Sequence, residues 1–314
     1  MDRIAMDAVP AQLLNEICKV IHGKKRVIKL TLCAIFAGGH VLLEDIPGVG
    51  KTTLAVAISR ALSLKYRRVQ FTPDVLPSDL LGYNLYDKAS GAFRFQEGSI
   101  YTNLFLADEI NRTSPKTQSA LLEVMEERHA TVEGQTRELP KPFFVLATQN
   151  PFGSSGTQKL PESQLDRFMI CLTMGYPNTQ SAISVLKGDS AIDLNTIQEV
   201  IDAEQLMEIQ QTVHDLYVDD SLYEYVVALT EETRNPNYFA LGLSPRGSIA
   251  LLRMAKAYAF FSGRDYVVPE DIHDVFHCVA GHRVRLNAQS KAGGLDSTAL
   301  LNDVLKQIPI PKVN

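Results

Sequence analysis

The hydrophobic positions near the start of the chain repeat with the period of an α-helix. Between residues 12 and 21 the apolar side chains fall at Leu13, Leu14, Ile17, Cys18 and Ile21. This spacing predicts a helix with one buried stripe. A second helix is predicted over residues 26–36, and the glycines at 38 and 39 can end it.

From residue 40 onward the pattern changes to short apolar runs that alternate with helical segments. Buried strands are predicted at residues 40–44, 68–71, 104–107, 143–148 and 168–172. Helices are predicted between them, among others at 52–62 and 116–127. Such alternation predicts an α/β fold, with a parallel sheet that is covered by helices.

Two stretches do not fit this alternation and are predicted to be inserted hairpins. They span residues 83–96 and 128–139, and they turn near Gly91 and Gly134. Beyond a loop at 175–178 the strand signals fade, and helices are predicted at 182–186, 203–218, 221–233, 248–261 and 269–279. The sequence therefore predicts an α/β domain over residues 1–178 and a smaller all-helical domain over residues 179–314.

Composition and charge limit the cellular compartment and the classes of partner that we expect. The formal charge of -5 gives no overall attraction to a phosphate backbone, so nucleic acid is not an expected partner. The four cysteines lie far apart without a CxxC pair, which favours neither a disulfide framework nor a zinc ribbon. Residues 1–10 lack the apolar stretch of a signal peptide, and residues 30–43 are too short to cross a bilayer. We expect a cytoplasmic protein without membrane insertion.

A glycine-rich loop follows the first predicted strand and precedes a predicted helix. It contains Pro47, Gly48, Val49, Gly50, Lys51, Thr52 and Thr53. In a P-loop the glycines let backbone N–H groups face the phosphates of ATP, the lysine reaches the β and γ oxygens, and the Thr52 hydroxyl ligates Mg²⁺. The strict pattern has glycine where this chain has Asp45. The prediction of a P-loop therefore rests on the strand predicted before the loop and the helix predicted after it. A glycine-rich turn without a ligand is the alternative.

Two acids end the apolar run at 104–107. The carboxyl ends of parallel strands meet at one edge of a sheet, which would place Asp108 and Glu109 beside the P-loop. Asp108 would then hold Mg²⁺ through water, and Glu109 would polarise the water that attacks the γ-phosphate. An acidic helix cap after a core strand is the alternative.

Three further residues could act on the γ-phosphate. Asn150 follows the run at 143–148, where its amide can bind the γ-phosphate or the attacking water, although Asn before Pro is also a turn signal. Arg167 and Arg246 are candidates for the positive charge that phosphoryl transfer needs, as from an arginine finger of a neighbouring subunit. Surface ion pairs are the alternative for both arginines.

Some polar clusters receive a simpler interpretation. His273 and His277 have metal-ligand spacing, with Cys278 and His282 nearby, but a charged helix surface explains them as well. Lys65, Arg67 and Arg68 are interpreted as a solvated helix end.

Taken together, these residues resemble the AAA+ superfamily and, within it, the MoxR family, over the whole chain. The matching segments are 47–53, 70–79, 108–112, 147–151, 160–168 and 244–246. The resemblance implies an AAA+ nucleotide domain followed by a helical lid. It also implies that Asn150 is sensor 1, that Arg167 is a finger acting in trans, and that Arg246 is sensor 2, reaching the phosphates from the lid.

The resemblance further implies a ring, expected to be a hexamer, with ATP at the subunit interfaces. The hairpins would be the helix-2 and pre-sensor-1 insertions shared with magnesium-chelatase and minichromosome-maintenance relatives. The expected activity is that of a chaperone-like ATPase that remodels or matures client proteins, with a von Willebrand A domain protein as partner. Asp45 is a departure that AAA+ loops tolerate, whereas residues 153–159 depart from a family loop that usually carries an acidic residue.

Other functions remain alternatives at this point. A DNA-acting motor of the related helicase clade would want basic residues at the second hairpin tip, where residues 131–135 offer none. A nucleotide-gated scaffold without turnover is disfavoured by Glu109 and Arg167. The ATPase subunit of a metal chelatase would be recognised by a copurifying chelatase partner.

Overall fold

A computed structural model describes residues 3–150, 160–176 and 193–312, together with Thr179 and Ile183. Its strands are, in chain order, β1 Val41–Glu44, β2 Tyr66–Gln70, β3 Gly82–Asp87, β4 Ala92–Glu97, β5 Leu104–Asp108, β6 His129–Val132, β7 Gln135–Glu138, β8 Phe144–Gln149, β9 Ile170–Leu172, β10 Phe239–Leu241 and β11 Arg285–Leu286. Five of them form one parallel sheet in the order β2-β5-β8-β1-β9. The predicted parallel sheet is confirmed, although β2 begins two residues before the predicted start at 68.

The remaining regular structure is helical. The helices are α1 Arg3–Cys18, α2 Lys25–Phe36, α3 Lys51–Ala61, α4 Pro77–Leu81, α5 Pro115–Glu127, α6 Glu162–Leu165, α7 Ala203–His214, α8 Asp220–Glu232, α9 Pro245–Phe261, α10 Pro269–Ala280, α11 Ala288–Ala292 and α12 Ser297–Gln307. Single 3₁₀ turns lie at Ile110–Arg112 and Leu194–Thr196. The helix predicted at 182–186 and the loop at 153–159 lie outside the described residues, and the domain boundary at 178 stays a prediction.

Burial explains why the central strands form where they do. Every residue of β5 and β8 is buried, as expected for strands that are covered by helices on both faces. Helix α1 begins at Arg3, well before the predicted start at residue 12. Met6, Val9 and Leu13 lie on one buried face. Their tertiary packing stabilises the helix although it contains Pro10.

The two predicted hairpins are confirmed. β3 pairs with β4, and β6 pairs with β7, each in an antiparallel two-stranded sheet. Glu133 and Gly134 form the tip of the second hairpin, and both have positive φ, at 50° and 78°. Such angles match the twist of a tight two-residue hairpin turn.

Most of the described C-terminal helices begin at polar caps, and one element among them was not predicted. Side chains that precede the helices accept backbone N–H bonds at their first turns, namely Asp202, Asp219, Ser244, Asn287 and Asp296. The prediction of helices alone was wrong for the short antiparallel pair β10 and β11. The pair is too brief for an alternating pattern to reveal it.

The C-terminal helices pack directly on α2, which precedes β1. Phe260 of α9 meets Phe36 of α2 edge to face, with ring centroids 5.8 Å apart. The Gln210 amide of α7 donates to the Ile35 carbonyl at 2.7 Å. Within the described residues, no helix is both long enough and apolar enough to cross a membrane.

Candidate functional site

The loop between β1 and α3 has the backbone of an anion cradle. Gly48 and Gly50 have φ of 83° and 93°, a region in which residues with a Cβ are strained. Gly50 is also the N-cap residue of α3. The N-terminus of this helix therefore faces the loop, where unpaired backbone N–H groups and the helix dipole favour negative charge.

Lys51 is held at the mouth of this loop. Its Nζ donates to the carbonyls of Asp45 at 2.8 Å and Ile46 at 3.0 Å. Burial lowers the pKa of the Lys51 ammonium, while nearby carboxylates, Asp45 foremost, oppose that shift. The ammonium is thus partly desolvated and close to the place where phosphates would sit.

Asp45, the departure from the strict P-loop pattern, has a structural role. Its Oδ1 accepts from the Ile46 N–H at 2.9 Å, and its Oδ2 accepts from the Gly175 N–H at 2.7 Å. The residue is buried. The carboxylate therefore ties the start of the loop to the chain that follows β9, a link that glycine could not make.

The acidic pair stands at the predicted sheet edge and is oriented by a threonine. β5 and β8 pair in register through Ala107 and Ala147, so Asp108 and Thr148 follow side by side. Thr148 Oγ1 donates to Asp108 Oδ1 at 2.6 Å and accepts from the Glu109 N–H at 2.9 Å. One buried hydroxyl thus fixes both acids. The sequence analysis assigned no role to Thr148.

Residues of β2 and of the 3₁₀ turn after β5 contact the same two acids. Arg68 Nη2 donates to Asp108 Oδ2 at 2.7 Å, and Gln70 Nε2 donates to Glu109 Oε2 at 2.8 Å. Arg112 Nη1 donates to the same oxygen of Glu109 at 2.6 Å. The interpretation of Arg68 as part of a solvated helix end was wrong, because Arg68 lies within β2, which pairs with β5 from Tyr66 onward.

Glu109 has an unusual backbone. Its φ is 57°, in the left-handed region that a residue with a side chain rarely adopts. Such strain persists only when the surroundings hold it, as the Thr148 hydroxyl does at the Glu109 N–H.

These groups surround one open cavity of about 420 Å³. Its lining consists of Pro47, Gly48, Gly50, Lys51, Thr52, Thr53, Arg68, Gln70, Asp108, Glu109 and Asn150. All the predicted P-loop residues except Val49 line it, and Val49 packs against the core instead. The structure thus brings Asn150 and the two acids to the P-loop.

The donor set fits Mg-ATP. Hydroxyl and carboxylate oxygens, from Thr52 and Asp108, are of the kind that Mg²⁺ prefers, directly or through water, and phosphates and water would supply the rest of its shell. A Cβ at Gly48 would meet no atom within 4 Å, so the face of the loop is open to a phosphate chain. No group of three His, Cys, Asp or Glu side chains in the described residues could hold a metal without such a ligand.

The histidines with metal-ligand spacing point to separate partners. His273 Nε2 contacts the Tyr225 hydroxyl at 2.5 Å, and His277 Nε2 contacts Asn302 Oδ1 at 2.9 Å. His282 lies against the Phe168 carbonyl. These contacts explain the side chains without a shared ligand.

The two candidate arginines lie together and away from the P-loop cavity. Arg167 Nε is 3.3 Å from Glu126 Oε2, and Arg246 Nη2 is paired with the other oxygen of Glu126. Both line a second cavity of about 190 Å³. In this structure Arg246 lies in the first turn of α9 and contacts Glu126 of α5, and it does not line the P-loop cavity. Its role as sensor 2 stays a prediction.

Family models and relatives match most of the chain. Residues 40–170 match the model described as "ATPase family associated with various cellular activities (AAA)", and residues 231–304 match an AAA lid domain. Chaperone MoxR1 of Mycobacterium tuberculosis is 35% identical over 95% of this chain and 81% of its own length. Protein MoxR of Methylorubrum extorquens is 34% identical over 88% of this chain and 87% of its own.

A solved structure has the same fold. A candidate ATPase from Cytophaga hutchinsonii superposes with a TM-score of 0.91 and 37% sequence identity. The match covers 99% of this chain and 97% of that one. The α/β nucleotide domain with a helical lid is therefore shared along the entire length.

Proposed function

The chain belongs to the MoxR family of AAA+ ATPases, and from that premise we propose that it binds Mg-ATP in the P-loop cavity and hydrolyses it. One observation carries the proposal, namely that Lys51 and Thr52 share a single cavity with Asp108, Glu109 and Asn150. These side chains come from separate loops and strand ends. A simple glycine-rich turn without a ligand would not require these side chains to converge.

Each group has a distinct task in this proposal. The backbone N–H groups of residues 48–53 hold the phosphates, and Lys51 binds their β and γ oxygens. Thr52 and Asp108 would hold Mg²⁺, which when bound neutralises the developing charge on the phosphates. Glu109 takes the proton of the attacking water, and the Asn150 amide orients that water or the γ-phosphate.

The arginines serve a neighbour in the same proposal. Arg167 and Arg246 are partly exposed, lie side by side and are remote from their own P-loop cavity. In a ring, each copy would present this pair to the nucleotide of the next copy, where it stabilises charge as the γ-phosphate leaves. We propose a hexamer on the strength of the family.

We infer a chaperone-like role for the cycle, in which ATP turnover remodels or matures a client with a von Willebrand A domain protein as partner. The name of the mycobacterial relative supports this role. The same relatives disfavour a metal-chelatase subunit and a DNA-acting motor, since they match this chain almost from end to end. A copurification from native cells with the ATP-trapped Glu109→Gln variant would identify the client.

A pair of variants tests the proposed activity. Lys51→Ala should abolish ATP binding, because Lys51 contacts phosphates in the ground state. Glu109→Gln should bind ATP normally and lower turnover by roughly 10²- to 10⁴-fold, because Glu109 acts only on the attacking water. Calorimetric titration and phosphate release separate the two effects. Equal ATP affinity in the wild type and Lys51→Ala would overturn the assignment of the cavity.

A further inference from the structure

A buried arginine of the lid donates hydrogen bonds to the backbone on both sides of Arg167. Arg283 follows α10, and its side chain is only 2% exposed. Its Nη2 donates to the carbonyls of Phe168 at 2.6 Å and Asp166 at 3.3 Å, and its Nη1 donates to that of Met169 at 3.0 Å. The carbonyls before and after Arg167 therefore both accept hydrogen bonds from one guanidinium.

The same guanidinium makes an ion pair with Asp166. Arg283 Nε lies 2.8 Å from Asp166 Oδ1. Burial lowers the pKa of Arg283, and the hydrogen bond to Asp166 opposes that shift. A buried charge pair of this kind is costly to break, because the partner left behind has no water to replace the lost contact.

The other oxygen of Asp166 reaches the helix that carries Arg246. Ser244 Oγ donates to Asp166 Oδ2 at 2.8 Å and accepts from the Gly247 N–H at 3.0 Å. Ser244 is the N-cap residue of α9, and Arg246 lies in the first turn of that helix. Asp166 thus ties the chain beside one arginine to the helix start beside the other.

The two arginine heads are joined by Glu126, and their backbones are joined by Asp166 with its two lid partners. The arrangement fixes Arg167 and Arg246 relative to each other at both ends. An arginine suits this task because its planar fork presents five donors in fixed directions, which a lysine ammonium does not.

We propose that Arg283, through Asp166, is a positioning residue that holds Arg167 and Arg246 as a preformed pair for the nucleotide of a neighbouring copy. The inference rests on the proposed action of these arginines in trans. Preformed geometry matters for the rate, since a catalytic group displaced by about 1 Å can cost on the order of 100-fold. Arg283 itself touches no nucleotide in this account.

The test variant is Arg283→Met, with Arg285→Met as its matched control. Arg285 also belongs to the lid and pairs with Glu162 at 2.6 Å, but this pair is exposed and makes no contact with residues 166–169. Arg283→Met should lower kcat by about 10- to 100-fold with an unchanged KM for ATP. Arg283→Lys should be similarly impaired, whereas Arg285→Met should stay within about two-fold of the wild type.

Mixed assemblies distinguish a positioning role from general damage to the lid. Arg283→Met keeps its own P-loop, so mixing it with Lys51→Ala should restore activity where Lys51→Ala copies supply the arginine pair. Mixing Arg283→Met with Arg167→Ala should restore none, because both lack a working pair. No rescue by Lys51→Ala in mixed rings seen by native mass spectrometry, or a raised KM, would overturn the inference.

A second variant keeps the test informative if Arg283→Met does not fold. Asp166→Asn keeps one acceptor oxygen and replaces the other with an NH2 donor, so it cannot accept from both Arg283 and Ser244. The same pattern of rescue is expected with a smaller loss of kcat. The opposite pattern, rescue by Arg167→Ala and none by Lys51→Ala, would contradict the inference. Failure of Arg167→Ala itself to be rescued by Lys51→Ala would instead refute the underlying proposal of action in trans.

Discussion

The P-loop cavity and the arginine pair differ in how the chain builds them. The cavity uses consecutive loop residues and the ends of adjacent strands, so its side chains belong to one domain. The arginine pair depends on Glu126, on Asp166 and on lid residues more than 100 positions away, such as Arg283. One half of the site is therefore fixed by the sheet, and the other half exists only while the lid is docked.

This difference assigns separate tasks to the two regions. In the proposed cycle, a cavity that is fixed by the sheet would bind nucleotide independently of the lid. A pair that is fixed by the lid can be withdrawn when the lid moves, which would couple hydrolysis to the shape of an assembly. The predictions below change one region and leave the other intact.

The largest effect is expected from Arg167→Ala, which should break the arginine pair and spare the cavity. Loss of an arginine finger costs roughly 10³- to 10⁵-fold in kcat where it has been measured in GTPases. We expect a loss of at least about 1,000-fold with ATP affinity unchanged. Arg60→Ala removes an exposed arginine that donates to Asn195 and is the control. A weaker affinity for ATP in Arg167→Ala would place Arg167 in the cavity of its own chain.

Thr148→Val should disturb the two acids of the P-loop cavity and leave the arginine pair unchanged. The substitution keeps the shape of the side chain but removes the hydroxyl that orients Asp108 and Glu109. We expect kcat to fall by about 10- to 100-fold, as for other residues that orient a metal-binding carboxylate. Thr31→Val, at a buried threonine whose hydroxyl donates to the Val27 carbonyl of the same helix, should leave turnover unchanged. Equal turnover in both variants would argue against an orienting role for Thr148.

Restoring the strict P-loop pattern with Asp45→Gly should destabilise the folded protein. The change removes two hydrogen bonds to a buried carboxylate and frees the loop from Gly175. The free energy of unfolding should fall by about 2 kcal/mol in urea titrations. Asp87→Ala removes a carboxylate that also accepts local hydrogen bonds, but on an exposed hairpin, and should lower the free energy of unfolding much less. A more stable Asp45→Gly variant would contradict the assigned role.

At neutral pH the smallest effect is expected at His40, which precedes β1 and contacts α5, the helix that carries Glu126. His40 Nε2 donates to the Met125 carbonyl, and its Nδ1 accepts from the Val145 N–H, so the ring is neutral. Burial, helped by Arg128, lowers the pKa of His40 to about 3.

Protonation therefore favours the unfolded state as the pH falls below about 6.5, the ordinary pKa of histidine. Stability should be lost from there toward pH 3, by roughly 1 kcal/mol for each pH unit from His40 alone. His282 is half-buried, and desolvation lowers its pKa in the same direction. His40→Phe should reduce the slope of unfolding free energy against pH without removing it. An unchanged slope would show that His40 does not titrate as described.

The sequence was sufficient for the sheet, the hairpins and the P-loop because short-range patterns encode them. Apolar runs and glycine positions can be read along the chain, and sheet geometry then places Asp108 and Glu109. Arg68 and Thr148 were missed because their roles depend on strand register, which a pattern does not give. The contact of Arg246 with Glu126 depends on how α9 docks, and no local signal specifies this packing.

The central claim is that one copy supplies the cavity and the next copy supplies the arginine pair. Mixing Arg167→Ala with Lys51→Ala tests it most directly, because each variant is inactive alone and lacks a different half. With random assembly, about a quarter of the interfaces should combine an intact cavity with an intact pair, so about a quarter of the wild-type activity should return. The specific activity of the wild type should also rise with protein concentration as assemblies form. A mixture that stays inactive while mixed assemblies form, or a diluted monomer that hydrolyses ATP at the full rate, would contradict the claim.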